Sequence, residues 1–375
     1  MIAWRQLARE CLETLSPLKT AWAFAASPSL AQFEPPESTH ESTLVFVDGF
    51  YMPELSRPPS EAICLELDLA LKSYGLFLQN QWAKIFKEEK DPLYLLNAAE
   101  HGQGLFLYIP PNVQTSLQIL HLTAAAEVLA SPKIQITLGK NASLSLVQTV
   151  KSGSCNGVID ASLDGGAVLK FYSMELLAAD AHCSMTFRGR LKRDARLELF
   201  HATDGAANVR FHASAKLLEE NSSSSFRFLG MLNGERQANI HALVDHAAPH
   251  CTSRTTVKMV LNGKSKSSFE GKIYVRSIAQ KTESYQLNNN LLLSEAASAV
   301  SKPNLEIFAD DVKASHGATF SQLSEEELFY LRSRGLAKSE AKSLLMQAFC
   351  REMIDSLEIE SLKAPLLEAM ARTYA

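Results

Sequence analysis

Leu138–Gln148 reads LGKNASLSLVQ, Leu163–Ser173 reads LDGGAVLKFYS and Leu191–His201 reads LKRDARLELFH. In each, a short polar turn carrying Gly, Asn, Asp or Lys leads into a strand in which apolar and polar residues alternate. The three stretches lie roughly 25–28 residues apart, a period that points to stacked units. Looser versions recur at Leu217–Phe228 and Val260–Phe269. Alternation alone fits either an antiparallel sandwich or barrel, or a parallel β-helix in which each rung covers the apolar side of the one below. The near-regular spacing favours the β-helix.

On either side the pattern changes. Upstream, Leu7, Cys11, Leu12 and Leu15 fall on one face of an amphipathic helix, and Pro28, Pro35 and Pro36 punctuate a loop. Thr43–Phe50 reads as a strand ending in an Asp48-Gly49 turn, and Leu65–Leu78 and Trp82–Phe86 as partly helical. Downstream, Ser324-Glu325-Glu326-Glu327 is a capping box, and Gly335 is placed to end the helix it opens. Ser339 can cap a second helix with Leu344, Leu345, Ala348, Phe349 and Met353 on one face. A third follows with Leu362, Leu366, Leu367 and Met370. Helices there have a plain role as caps over an exposed last rung. The expected organisation is an N-terminal mixed helical region over residues 1–98, a β-helix core over 99–320 and a C-terminal helical region over 321–375.

Composition narrows the function. The 375 residues are 46% hydrophobic and 21% charged, with a formal net charge of −4 and no basic block. Phosphate binding needs clustered Lys and Arg, so nucleic acid is excluded as the main partner. No apolar run approaches the roughly 18 residues that span a membrane. Arg5 and Arg9 hint at a transit peptide, but Glu10 and Glu13 interrupt it. Cys11, Cys64, Cys155, Cys183, Cys251 and Cys350 are scattered, with no C-x-x-C pair. That usage fits a reducing, cytoplasmic setting.

Catalytic motifs are mostly absent. Gly263-Lys264-Ser265 resembles the end of a P-loop, but Lys258 occupies the position where the motif needs its first glycine. Gly102-Gln103-Gly104 lacks the third glycine of a dinucleotide fingerprint. His241, His246, His250 and Cys251 crowd together in HALVDHAAPHC, and imidazole and thiolate are good iron or zinc ligands. The plainer reading, rung and turn histidines with ordinary hydrogen bonds, is preferred, because the spacing matches no helical pair or zinc knuckle. Asp310-Asp311 offers two carboxylates of the kind β-helix carbohydrate-active enzymes use, although adjacent strand residues point to opposite faces.

Gly263–Gly335 carries a dense series of ordered motifs. They include Phe269-Glu270-Gly271-Lys272, Ala279-Gln280-Lys281-Thr282, Asn290-Leu291-Leu292-Leu293-Ser294, Lys302-Pro303 and Leu305-Glu306-Ile307. Ala309-Asp310-Asp311-Val312-Lys313, Ser315-His316-Gly317-Ala318-Thr319 and Leu328-Phe329-Tyr330-Leu331-Arg332-Ser333-Arg334-Gly335 follow. This series closely resembles the C-terminal core of the SufB/SufD family of SUF iron–sulfur cluster assembly scaffolds. Upstream, Leu96-Asn97-Ala98-Ala99 with Gly104–Pro110, and Val45-Phe46-Val47-Asp48-Gly49 with Leu55-Ser56, resemble the family more loosely. The chain lacks the extra N-terminal cysteines and the functional C-terminal cysteine of SufB chains, and its Ser315–Thr319 pattern resembles the SufD type. It departs from many SufD relatives in having Ala314 where they have cysteine.

The resemblance implies a mainly β protein, a right-handed parallel β-helix core flanked by N-terminal and C-terminal helical segments. It implies a non-enzymatic scaffold that pairs with a SufB-like subunit through its last rungs, Leu291–Phe320. It implies a SufC-like ATPase docked on the C-terminal helices through Leu328, Phe329, Tyr330, Leu345 and Phe349. It makes His316 a candidate iron or cluster ligand at the partner interface. No cofactor is expected to stay bound to the isolated chain, and a transient iron–sulfur cluster is expected in the complex. The alternatives are a SufB-like homodimeric scaffold and a β-helix carbohydrate-active enzyme.

Overall fold

A computed structural model of the protein describes residues 5–6, 8–10, 24, 27, 41–123, 128–151 and 153–373. Residues 5–6 and 8–10 are helical. Leu7, Cys11, Leu12, Leu15 and the proline loop of the expected N-terminal segment lie outside the described residues.

The centre of the molecule is a parallel β-helix of about seven turns. Each turn gives one strand to each of two ten-stranded sheets, so successive strands alternate between them. The first sheet runs from Thr43–Val47 and Gln114–Leu122 to Val312–Ser321, and the second from Ile63–Glu66 and Leu105–Ile109 to Ser298–Ile307. Both therefore begin upstream of residue 99. The three quoted repeats stack in register, Leu144 beside Leu169 and Leu169 beside Leu197. Leu117, Leu146, Phe171, Leu199 and Phe226 form the next column and face the space between the sheets. From the second sheet, Phe187 and Phe211 meet them, with Phe187 stacked on Phe171 at 5.1 Å between ring centroids. This aromatic-rich interior carries the hydrophobic stabilisation of the fold.

The turns stack as well. Asn112, Asn141, Gly166, Asp194, Asn221, His250 and Lys281 all adopt left-handed backbone, with φ from 56° to 70°. Each lies at the same corner of its rung, leading into a first-sheet strand. The amide of Asn141 donates to the Gly165 carbonyl one rung on, at 2.9 Å, and those of Gly166, Asp194, His250 and Lys281 donate likewise to Arg193, Glu220, Gln280 and Asp311. Gly, Asn and Asp tolerate this backbone best, which is why the repeats show them at the turn.

Helical layers cover the outer faces. α1 (Leu67–Glu88) and α2 (Pro92–Glu100) lie on the second sheet, where Leu78, Trp82, Ile85, Tyr94, Leu95 and Ala99 bury against Phe106 and Val158. Asp91 caps α2 by accepting from the Leu93 amide at 3.1 Å. Glu89 pairs with Arg188, Asp91 with Arg210 at 2.8 Å, and buried Lys133 with Asp160 at 2.7 Å.

α3 (Glu325–Ser333), α4 (Lys338–Asp355) and α5 (Lys363–Arg372) follow the strands. Ser324 accepts from the Glu327 amide at 3.3 Å, as the capping motif predicts, and Gly335 follows α3 with φ 95°. Ser339 does not cap α4. Ala337 holds that position, and the Glu340 carboxylate accepts from its amide at 2.7 Å. Nor do the helices cap the last rung. Met346, Cys350, Met353, Ile354, Leu366 and Met370 pack sideways on the first sheet, against Val147, Tyr172, Met174, Phe200, Leu229, Met231, Val260 and Leu291. Those apolar residues point outward and need a cover.

Two titratable side chains are sealed inside the middle rungs. His201 is fully buried, stacked on Phe211 at 3.9 Å, with Nδ1 3.8 Å from Glu175 Oε1. Burial keeps His201 neutral, pushing it down to about 3. Burial, only partly offset by the nearby Cys183 and Ser173, pushes the Glu175 carboxyl up to about 8 from its ordinary 4.5. Between those two pH values the folded chain keeps a proton that the unfolded chain has released. The contribution to stability is therefore fully present at the acid end of the window and is lost as pH rises to about 8. Glu175→Gln removes this loss. Its urea midpoint relative to wild type is expected to climb steadily from about pH 5 to pH 8, and a difference that stays constant with pH would contradict the assignment.

Candidate functional site at the open end of the β-helix

The last two strands, Ser298–Ile307 and Val312–Ser321, each pair on one side only. As the inward columns approach them, their chemistry changes. Leu146, Phe171, Leu199 and Phe226 continue as Thr255, Gln286 and His316. Leu169 and Leu197 continue as Ser224, Ser253, Ser284 and Ala314. On the penultimate strand of the first sheet five of the six inward residues are polar: Thr282, Ser284, Gln286, Asn288 and Asn290 are all buried, and Leu292 at the end of the strand is the apolar exception.

This lining is partly wired. His246 Nε2, Ser253 Oγ and Ser284 Oγ form a buried chain with separations of 2.9 and 2.5 Å. It ends beside Ala314, in register with Ser284. Burial pushes His246 down to about 4, so it serves this chain as a neutral ring. Gln286 Nε2 and both polar atoms of the Asn288 amide have no hydrogen-bond partner among the described residues. They stay available as donors and acceptors facing the end of the helix. Gly271 makes the room, since a Cβ there would lie 2.2 Å from Gln286 Oε1.

His316 stands on the uncovered last strand, exposed and without a hydrogen bond to any described residue. A Cβ on Gly317 would meet only the Leu287 side chain, at 3.4 Å, so among the described residues no backbone approaches it. Asp310 and Asp311 sit in the exposed turn that precedes the strand, where the Asp311 carboxylate is held by Lys281. On and beside these two strands Val300, Phe308 and Phe320 are exposed by 59%, 59% and 51%, an apolar rim to the open end.

The C-terminal candidates separate. Phe329 and Tyr330 are exposed by 74% and 56%. Leu328 is buried within the chain, so it offers no surface. Leu345 and Phe349 are half-buried, Phe349 beneath the Lys258 ammonium at 5.2 Å.

The other motifs are structural or dispersed. Gly263 turns with φ 65°, Lys264 reaches Glu235 at 3.3 Å and Ser265 is buried, so no phosphate cradle forms. Of the histidine cluster, His241 faces outward, His246 and Cys251 inward, and His250 holds a turn. Among the described residues no group of three or more His, Cys, Asp or Glu is placed to hold a metal, and no helix is long and apolar enough to cross a membrane. The polar inward column was missed in the sequence, although Thr282-x-Ser284-x-Gln286-x-Asn288-x-Asn290 displays it at strand period.

The geometry defines a two-sheet β-helix with covered faces, a sealed middle and one open, polar, apolar-rimmed end. Residues 121–349 match the SufBD core domain of the SUF system for FeS cluster assembly. The chain belongs to that SufB/SufD family. It is 29% identical over 355 residues to an iron–sulfur cluster assembly SufBD family protein of Synechocystis sp., covering 88% of this chain and 78% of that one. It is 37% identical over 163 residues to SufD of Escherichia coli, covering 44% of this chain and 38% of that one. To SufD of Bacillus subtilis it is 24% identical over 295 residues, 76% and 68% of the two chains. The aligned part thus spans well under half of the Escherichia coli protein. The resemblance is of the SufD type.

The Gly271–Gln286 contact is directly testable. Gly271→Ala must displace a buried amide and is expected to cost about 1–3 kcal/mol, read as a lowered urea midpoint at unchanged slope. In the Gly271→Ala, Gln286→Ala double variant most of that loss should return. A double variant no more stable than the single would show that the contact is not what demands glycine.

Proposed function

We propose that this chain is the SufD-type scaffold subunit of an iron–sulfur cluster assembly complex in the cytoplasm. Its open last rung pairs with a SufB-like subunit, and Phe329 and Tyr330 on α3 help dock a SufC-like ATPase. The observation that carries the reading is the last rung itself. It combines unpaired backbone edges, an exposed apolar rim, a polar interior and an unpartnered imidazole on the inward column. Edge strands left bare in this way are templates for a partner's strands.

Pairing would close the open end and bring His316 to the seam. A neutral imidazole is a good iron ligand and can move a proton near neutral pH. The buried His246–Ser253–Ser284 chain and the free amides of Gln286 and Asn288 supply donors and acceptors behind it. The cluster is the product under assembly, so its ligands need to hold it only in passing. Ala314 contributes no thiolate, which leaves the His316 imidazole as this chain's donor there and assigns any thiolate to the partner. The chain itself is read as non-catalytic. The turn at Gly263–Ser265 is closed by its own side chains, and nucleotide hydrolysis falls to the ATPase partner.

Co-expression with the SufB-like and SufC-like subunits of the same organism tests the reading. His316→Ala should leave the purified complex intact on size exclusion and lower its iron and sulfide content at least about fivefold. Wild-type content would remove His316 from the chemistry, and loss of the complex would make its role structural. Phe329→Ser with Tyr330→Ser should release the ATPase subunit while SufB-like pairing persists, since truncating two exposed aromatic anchors typically costs 2 kcal/mol or more. Retention of that subunit would place its docking surface elsewhere.

A further inference from the structure

His212 and His241 stand side by side on the outer face of the second sheet, in register on adjacent parallel strands. Their ring centroids are 5.9 Å apart. Each ring has a carboxylate near the same nitrogen: His212 Nδ1 is within hydrogen-bond distance of Asp91 Oδ2 at 3.2 Å, and His241 Nδ1 lies 3.8 Å from Glu270 Oε2, longer than a hydrogen bond but close enough to close on a small rotation of the exposed Glu270 side chain. Neither Nε2 is hydrogen-bonded to a described residue. Both side chains are open to solvent in part, by 20% and 33%.

The two carboxylates come from different directions. Asp91 is fixed at the start of α2, where it caps the helix and pairs with Arg210 at 2.8 Å. Glu270 is the next residue down the same column as the two histidines, and Lys302 follows it, 3.4 Å from its carboxylate. Arg210 and Lys302 thus balance the charge of Asp91 and Glu270, and Arg210 also lies 3.4 Å from His212 Nδ1. The ensemble is close to neutral, with two imidazoles presenting their far nitrogens.

A carboxylate on one ring nitrogen, with the other nitrogen free, is the arrangement by which proteins orient histidine toward a metal ion. Two imidazoles binding one ion through nitrogens about 2 Å from it have centroids roughly 5 Å apart, close to the 5.9 Å between these two rings. We propose that His212 and His241 form an open two-imidazole site for a first-row divalent transition-metal ion, with Asp91 and Glu270 orienting the rings from behind. Imidazole donors select zinc, copper, nickel, cobalt or ferrous iron over magnesium and calcium. With only two protein ligands and balanced charge, the site is a weak, exchangeable one. It is separate from His316, which lies on the other sheet and on the inward column.

The test uses the whole purified chain and Co²⁺, followed by visible absorption and calorimetry. One ion per chain is expected, with a dissociation constant in the micromolar range and a spectrum free of thiolate charge-transfer bands. His241→Gln should weaken binding at least about tenfold, and Glu270→Gln by several-fold, as loss of an orienting carboxylate does. His316→Ala should change nothing. His212→Gln is a further arm, but His241 and Glu270 sit at the open side of the cluster and their variants carry the test if His212→Gln does not fold. Absence of binding at millimolar Co²⁺, thiolate bands, or affinity unaffected by His241→Gln would each overturn the proposal. An unchanged affinity in Glu270→Gln would overturn the orienting role.

Discussion

A parallel strand cannot satisfy its own backbone. In this molecule each rung depends on the one before it and the one after it for both its amides and its carbonyls. The same dependence reaches the corners, where the amides of Asn141, Gly166, Asp194, His250 and Lys281 reach forward to the next turn. Side chains obey it too, because in-register stacking puts like on like, and Leu146, Phe171, Leu199 and Phe226 become one apolar column. The dependence has no solution at the final rung. That is where the interior turns polar and where an imidazole stands uncovered, so the structural deficit and the chemical feature coincide.

The outer faces solve a different problem. A strand pair such as Phe171-Tyr172 or Leu199-Phe200 is apolar on both sides, and only one side faces the core. The helical layers exist to cover the other. On the second sheet the cover is held by charge as well as by apolar contact. Glu89 and Asp91 anchor the α1–α2 junction to Arg188 and Arg210, and Tyr94 lies between the Lys133 and Arg188 cations. Those buried pairs fix where the layer sits more than they strengthen it.

Much of this was legible in the sequence. The turn residues at Asn141, Gly166 and Asp194 announce their conformation, and their spacing is the rung. The doubled apolar positions Leu146-Val147, Phe171-Tyr172 and Leu199-Phe200 stand in the sequence as well, but their meaning, a second covered face, was not read there and emerges only from the packing of the helices. An amphipathic stripe such as Met346–Met353 says that a helix is covered and is silent about the surface it meets. Hence the expectation that the C-terminal helices would close the last rung, when they lie along the first sheet. The polar column from Thr282 to Asn290 was visible as an alternation. Its meaning depends on which parity faces inward, and that is set by neighbours some thirty residues away rather than by the strand itself. His316 was singled out by its motif alone, since no local pattern separates it from an ordinary turn histidine.

The sideways docking of the C-terminal helices has a consequence for the order in which the protein is made. The outward apolar stripe from Val147 to Leu291 is complete well before residues 338–372, which cover it, leave the ribosome. The nascent chain must therefore carry a growing hydrophobic face from Val147 until those helices emerge, and the final rung is also laid down before the cover arrives. Domains form as units during translation, and exposed faces of this kind are where nascent chains stray. These helices close the face in time as well as in space: until they settle, a chain that already has its open edge has not yet buried the side of its own first sheet.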